Sequence, residues 1–121
     1  MQSVMDAAGF TEELVMLDET TLPARYTTMD LTALEDYRVY VSGSMGTPEE
    51  FSIFQVKSDK EVTPVYEAVQ RRVEDLRLSF EDYRPEQMPK IENAVLLEKS
   101  NYVMLAICEN ADDVRAILEK L

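Results

Sequence analysis

The apolar positions of this chain change period twice across its central stretch. Tyr37, Val39 and Val41 alternate with Arg38, Tyr40 and Ser42, the mark of a half-buried strand. After the flexible Gly43-Ser44-Met45-Gly46-Thr47-Pro48, a second run over 51–57 carries Ser52, Phe54 and Val56 on one face. Phe51, Ile53 and Gln55 lie on its other face. Two strands this close predict an antiparallel hairpin. The period then lengthens: Val65, Val69, Val73, Leu76, Phe80 and Tyr83 recur at spacings of three and four, one apolar stripe of a helix. Two start signals compete for it. Ser58 with Glu61 makes a capping box, and Thr63 with Pro64 makes an N-cap followed by proline at the first helical position. The second fits better, because Pro64 inside an earlier helix clashes with the preceding turn. At 1.5 Å per residue this helix is roughly 28 Å long, longer than a typical strand, and is expected to lie diagonally across a sheet.

Pro85 stops the helix, since the residue before a proline is pushed out of the α region. Residues 85–91 read as a connector with room for one helical turn. The runs 94–97 and 102–108, joined by Glu98-Lys99-Ser100-Asn101, predict a second hairpin. The later run is apolar on both faces, which predicts a central strand covered on both sides. Asn110 is placed to cap a last helix, with Asp112 and Asp113 suited to its dipole and Ala111, Val114, Ile117, Leu118 and Leu121 as its buried stripe. Before residue 36 the pattern is weaker. Ser3 caps a short helix through Ala8, ended by Gly9. Thr11-Glu12-Glu13-Leu14 reads equally as a helical start or an extended loop. Thr20 or Thr21 caps a single turn containing Leu22, Pro23 and Tyr26.

This order predicts an α+β fold in one domain over 1–121. Its sheet has four mainly antiparallel strands in two hairpins, with a long helix between them, a C-terminal helix and a short N-terminal helical segment. Residues 1–35 are irregular or helical, and 36–121 run strand-strand-helix-strand-strand-helix.

Composition narrows the chemistry. With 121 residues, 45% of them hydrophobic, the chain can bury one core. Its 24 acidic against 12 basic residues give a net charge of −12, which argues against nucleic-acid phosphates and anionic membrane surfaces. It has no histidine and a single cysteine, Cys108, so serine-histidine and cysteine-histidine catalysis are excluded, as is a cysteine-based zinc site. Three glycines leave no phosphate-binding loop. Glu49-Glu50 and Asp112-Asp113 are conceivable ligands for a hard cation, but no Asp-rich loop with its glycine accompanies them. Cys108, in phase with Met104 and Ala106, reads as a small buried hydrophobe. Tyr37, Tyr40, Tyr66 and Tyr102 read as core or cross-strand packing. No catalytic, cofactor or metal residue is therefore assigned. No run of about 18 apolar residues spans a membrane, and the N-terminus lacks the basic-then-apolar pattern of a signal peptide.

One ordered series goes further. Arg72, Phe80, Glu81-Asp82-Tyr83 and Pro85 precede Ile91-Glu92-Asn93-Ala94-Val95 and Asn101-Tyr102-Val103. Upstream stand Leu22, Tyr26, Asp30-Leu31, Tyr37-Arg38-Val39-Tyr40 and Glu50-Phe51-Ser52-Ile53-Phe54. Taken together, from Val4 onward, the chain resembles the bacterial domain-of-unknown-function family four-three-five-eight, typically short lipoproteins of Gram-positive gut bacteria. Ser100 departs from the glycine that members tend to carry in the hairpin turn. The export signal and lipid-bearing cysteine expected of such proteins are not in this sequence. The resemblance implies an extracytoplasmic domain, lipid-anchored in the full-length protein and touching the membrane only through that anchor. It supplies no activity by itself; together with the missing catalytic inventory it favours a non-catalytic module that binds a protein partner or small ligand at the cell envelope. It singles out Arg72 and Tyr83 as candidate binding residues. Against that stand structural roles, an arginine pairing nearby carboxylates and a tyrosine hydroxyl tying the helix end. Two other readings remain: a small hydrolase using Glu49 or Glu50 as acid and base, and a cytoplasmic adaptor if this N-terminus is the native one.

Overall fold

A computed structural model describes residues 2–121. Its helices are α1 (Gln2–Ala8), α2 (Leu22–Arg25), α3 (Val62–Tyr83), α4 (Met88–Glu92) and α5 (Ala111–Glu119). Its strands are β1 (Leu14–Met16), β2 (Leu34–Ser42), β3 (Glu50–Val56), β4 (Val95–Lys99) and β5 (Tyr102–Ile107). The fold is α+β, but the sheet has five strands rather than four, in the order β1-β2-β3-β5-β4 with every pairing antiparallel. The added strand is β1, which pairs Leu14, Val15 and Met16 with Ser42, Val41 and Tyr40. Three residues are too few to display an alternation, and the preceding Glu12-Glu13 imitates a helix start, so only the pairing partner reveals it.

The sheet separates two apolar layers. On one face Val39, Val41, Phe54, Val103 and Leu105 pack against Val65, Val69, Leu76 and Phe80 of α3. On the other, Phe51, Met104 and Ala106 meet Val4 and Ala8 of α1 and Val114 and Leu118 of α5. β5 lies between β3 and β4 and is covered on both sides, as its double-faced apolar pattern predicts. β2 begins three residues earlier than the alternation from Tyr37 suggests. Leu34 pairs with Val56 but Asp36 with Gln55, so one extra residue makes a bulge. That bulge brings Leu34 onto the same core face as Tyr37, Val39 and Val41 despite its opposite parity.

Several predicted ends move. α3 starts at Val62, one residue ahead of the expected cap, after a 3-10 turn at Asp59–Glu61, and neither Ser58 nor Glu61 caps it through a side chain. Pro64 is tolerated because it falls within the first turn, where backbone N–H groups have no helical partner. The connector 85–91 holds a 3-10 turn (Pro85–Gln87) and α4. Asn110 stands at the N-cap of α5 without capping it. Its side-chain amide donates instead to Ala7 O at 3.0 Å, and its backbone N–H to Ala8 O at 2.9 Å, tying α1 to α5. Gly9 just after α1 has φ +71°, the left-handed conformation expected of it.

The β4–β5 turn holds Ser100 and Asn101 between the paired Lys99 and Tyr102, and Ser100 has φ +52°. A side chain is strained there, whereas glycine is not. Ser100→Gly is expected to raise stability by about 0.5–1 kcal/mol, read as a higher urea midpoint at unchanged m-value. An unchanged or lower midpoint would mean that the strain relieved at Ser100 does not exceed the unfolded-state entropy that glycine adds.

Candidate functional site

Glu50 opens β3 on the face that carries Ser52, Phe54 and Val56, so the alternation that builds the core also drives a carboxylate into it. It is 0% exposed. Its Oε1 accepts from Arg72 Nε at 3.0 Å and Arg72 Nη2 at 2.8 Å. Its Oε2 accepts from Ser52 Oγ at 2.8 Å and from the Tyr26 hydroxyl. Tyr26 arrives at the end of α2, where its N–H closes the turn onto Leu22 O at 2.9 Å. Its ring meets Phe54 edge-on at 5.2 Å and lies 5.6 Å from the Arg72 guanidinium carbon.

The electrostatics of this cluster are self-consistent. Burial first, then the Glu50 charge, pushes the Tyr26 hydroxyl well above its ordinary range, so it stays protonated as a donor. Burial opposes the charge on Arg72, and Glu50 more than offsets it, leaving the guanidinium firmly protonated.

Glu49, also buried, has a separate set of partners. It accepts from Thr11 N and Thr11 Oγ1, both at 2.9 Å, and from Lys90 Nζ at 2.8 Å. The two neighbouring carboxylates share no partner.

Glu12 holds the β2–β3 loop through hydrogen bonds from Ser42 Oγ, Ser44 Oγ and Ser44 N. Those from the Ser42 and Ser44 hydroxyls hold its carboxyl below the ordinary 4.5. A carboxyl whose folded pKa is depressed contributes stability above its unfolded value and loses it as pH falls through the folded one. Stability should therefore fall with acidification below 4.5, and Glu12→Gln should flatten that part of the profile. Coincident urea midpoints against pH for the two proteins would remove Glu12 from the account.

A cleft of about 510 Å³ lies between α2, the β2–β3 loop and the second half of α3. Arg72, Leu76 and Phe80 line it from α3, and Ala24 and Arg25 from α2. Met45 and Tyr83, both largely exposed, add to its lining. The structure thus brings both sequence candidates to one cavity, although 11 positions separate them along α3. Arg72 pairs a carboxylate, as one reading has it, and occupies a position on the buried stripe. Tyr83 does not join that stripe. It is 62% exposed, its hydroxyl makes no hydrogen bond among the described residues, and its ring packs on Phe80 at 5.8 Å and Arg84 at 5.5 Å.

Sequence reasoning offers Glu50 only as a hydrolytic acid or base or a cation ligand, not as the partner of Arg72, and gives Tyr26 and Ser52 no site role. A signal for them existed: Glu50 keeps phase with Ser52, Phe54 and Val56, and Arg72 with Val65, Val69 and Leu76, so opposite charges stand on two inward faces.

A second cavity of about 490 Å³ lies at the start of α5, lined by Lys90, Cys108, Asp112 and Asp113. Lys90 is already held by Glu49. Cys108 is buried, and burial pushes its thiol up to about 11, so at neutral pH it stays a thiol.

A family model described as domain of unknown function (DUF4358) matches residues 7–108. No curated protein and no solved structure matches the chain.

Proposed function

The chain belongs to the DUF4358 family, and within it we propose a non-catalytic, extracytoplasmic domain, lipid-anchored in the full-length protein, that takes a small ligand into the cleft beside Arg72. One observation carries this reading. Arg72 and Tyr83, the two residues singled out by the family resemblance, line the same concave space, and Arg72 is fixed there by its bonds to Glu50. The cavity falls within the size range of small-molecule sites, and it combines apolar walls with a few fixed polar groups.

The hydrolase alternative has less support. An acid-base pair needs two carboxyls within reach of one substrate and free to exchange protons. Glu49 and Glu50 each hold a cation and hydroxyl or amide donors, in separate networks. The envelope setting rests on the lipoproteins typical of the family. No helix among the described residues is long and apolar enough to cross a membrane.

The test is a thermal-shift screen with peptides, sugars and organic acids, repeated on Tyr83→Ala, which removes an exposed ring. A ligand at a hundredfold excess over its Kd adds about 2.7 kcal/mol of stability. The variant should keep its own melting temperature and lose that gain. Ligands that stabilise parent and variant equally would place binding away from the cleft. Labelled-lipid incorporation by the full-length protein in its host tests the anchor, and an unlabelled cytosolic product would refute it.

A further inference from the structure

We infer that the cleft selects a small monocarboxylate with an apolar body, an inference that rests on the cleft being the binding site. The first ground is the geometry of Arg72. Its Nε and Nη2 both turn to Glu50 Oε1, so Nη1 projects from the opposite edge of the guanidinium plane. Nη1 makes no hydrogen bond among the described residues, and it is not one of the sealed, partnerless polar atoms, of which Gln87 Oε1 is the single case among those residues. It therefore reaches solvent, on a residue 7% exposed that lines this cleft. A buried cation fixed from behind, with one donor left open, is a preformed acceptor site.

The second ground is charge. The two carboxylates that line the cleft have cations of their own, Glu49 with Lys90 at 2.8 Å and Asp75 with Arg71 at 3.0 Å, and Glu50 behind it holds Arg72 at 2.8 Å. Arg25, on the opposing wall, makes no ion pair among the described residues. The lining and its ion-pair partners therefore carry one unmatched positive charge, in a protein whose net charge is −12. One negative charge on the ligand balances it, whereas a phosphate dianion would be left in excess beside Asp75 and Glu50. A carboxylate can accept from Arg72 Nη1 with one oxygen and face Arg25 with the other. Leu76, Phe80 and Tyr83 then provide apolar contact for the rest of the molecule.

The experiment is an amide and arginine side-chain NMR titration of the whole chain with octanoate and phenylacetate, each against its uncharged amide, octanamide and phenylacetamide. The acids are expected to shift Thr47, Ser79 and the Arg72 Nε–H and to bind about tenfold more tightly than the amides. Arg25 is half-buried and makes no ion pair among the described residues, so Arg25→Gln, checked for an unchanged urea midpoint, should cut the tenfold preference severalfold. Amides that bind in the cleft as tightly as acids would overturn the carboxylate class while leaving the cleft as the site. An acid preference undiminished by Arg25→Gln would overturn Arg25 as the counter-charge of the ligand. Shifts confined to residues outside the cleft, or no shifts from either series, would overturn the cleft as the site and the ligand class with it.

Discussion

Glu50→Leu is expected to destabilise the protein by about 3–5 kcal/mol, because it strips a buried arginine of its counter-charge and leaves two hydroxyls facing an apolar side chain. The Glu50 position is 0% exposed, so water does not replace the carboxylate that takes the Arg72 Nε and Nη2 donors. Against a total of roughly 5–15 kcal/mol for a domain of this kind, the loss is a large share. The double variant with Arg72→Met should recover most of it, since removing both charges also removes their desolvation cost. Urea unfolding of parent, two singles and double measures this directly. A single Glu50→Leu cost below about 1 kcal/mol would be that of a solvated surface pair, and the buried cluster would have to be abandoned.

Tyr26→Ala should cost about as much, roughly 3–5 kcal/mol, through a different route. The ring is 1% exposed, packs edge-on against Phe54 and lies against the Arg72 guanidinium, so its loss opens a cavity beneath α2. Tyr26→Phe keeps the ring and removes the hydroxyl that bonds Glu50 and lies 2.9 Å from Ser52 Oγ, which should cost about 1–3 kcal/mol. The two substitutions separate packing from hydrogen bonding. Because Tyr26 and Glu50 touch, Tyr26→Phe combined with Glu50→Leu should cost less than the two added together. Strict additivity would mean that the hydroxyl relies on Ser52 Oγ, 2.9 Å away, rather than on Glu50.

Long periodic elements were legible from sequence because their period needs no partner to be seen. α3, β5 and both hairpins follow from spacing alone. β1 was not, because a three-residue edge strand exists only through its bonds to β2. The bulge at Leu34 likewise hides the start of β2, since one extra residue inverts the parity on which an alternating pattern depends. Tyr83 fits the helical stripe by spacing, yet it is the final residue of α3 and the buried face of the helix ends at Phe80. The cleft was half visible. Arg72 and Tyr83 stand out through family resemblance, whereas Glu50 reads as an acid-base or cation-ligand candidate rather than as the counter-charge of Arg72. Only the phase of Glu50 with Phe54 and Val56 distinguished it, and a helix face opposite was needed to turn that phase into an ion pair.

The adjacent carboxylates Glu49 and Glu50 also bear on how the protein reaches its native state. Their ties to Thr11, Lys90, Tyr26 and Arg72 span 38, 41, 24 and 22 residues respectively. Contacts of that separation close large loops and are expected to form after the two hairpins, with φ-values near zero at Glu49 and Glu50 as the measurement that checks it. Weakening them leaves the rate of folding nearly unchanged and speeds unfolding instead. The dipeptide at the head of β3 thus acts as a latch on the finished molecule, governing how long the native state lasts rather than how fast it is found.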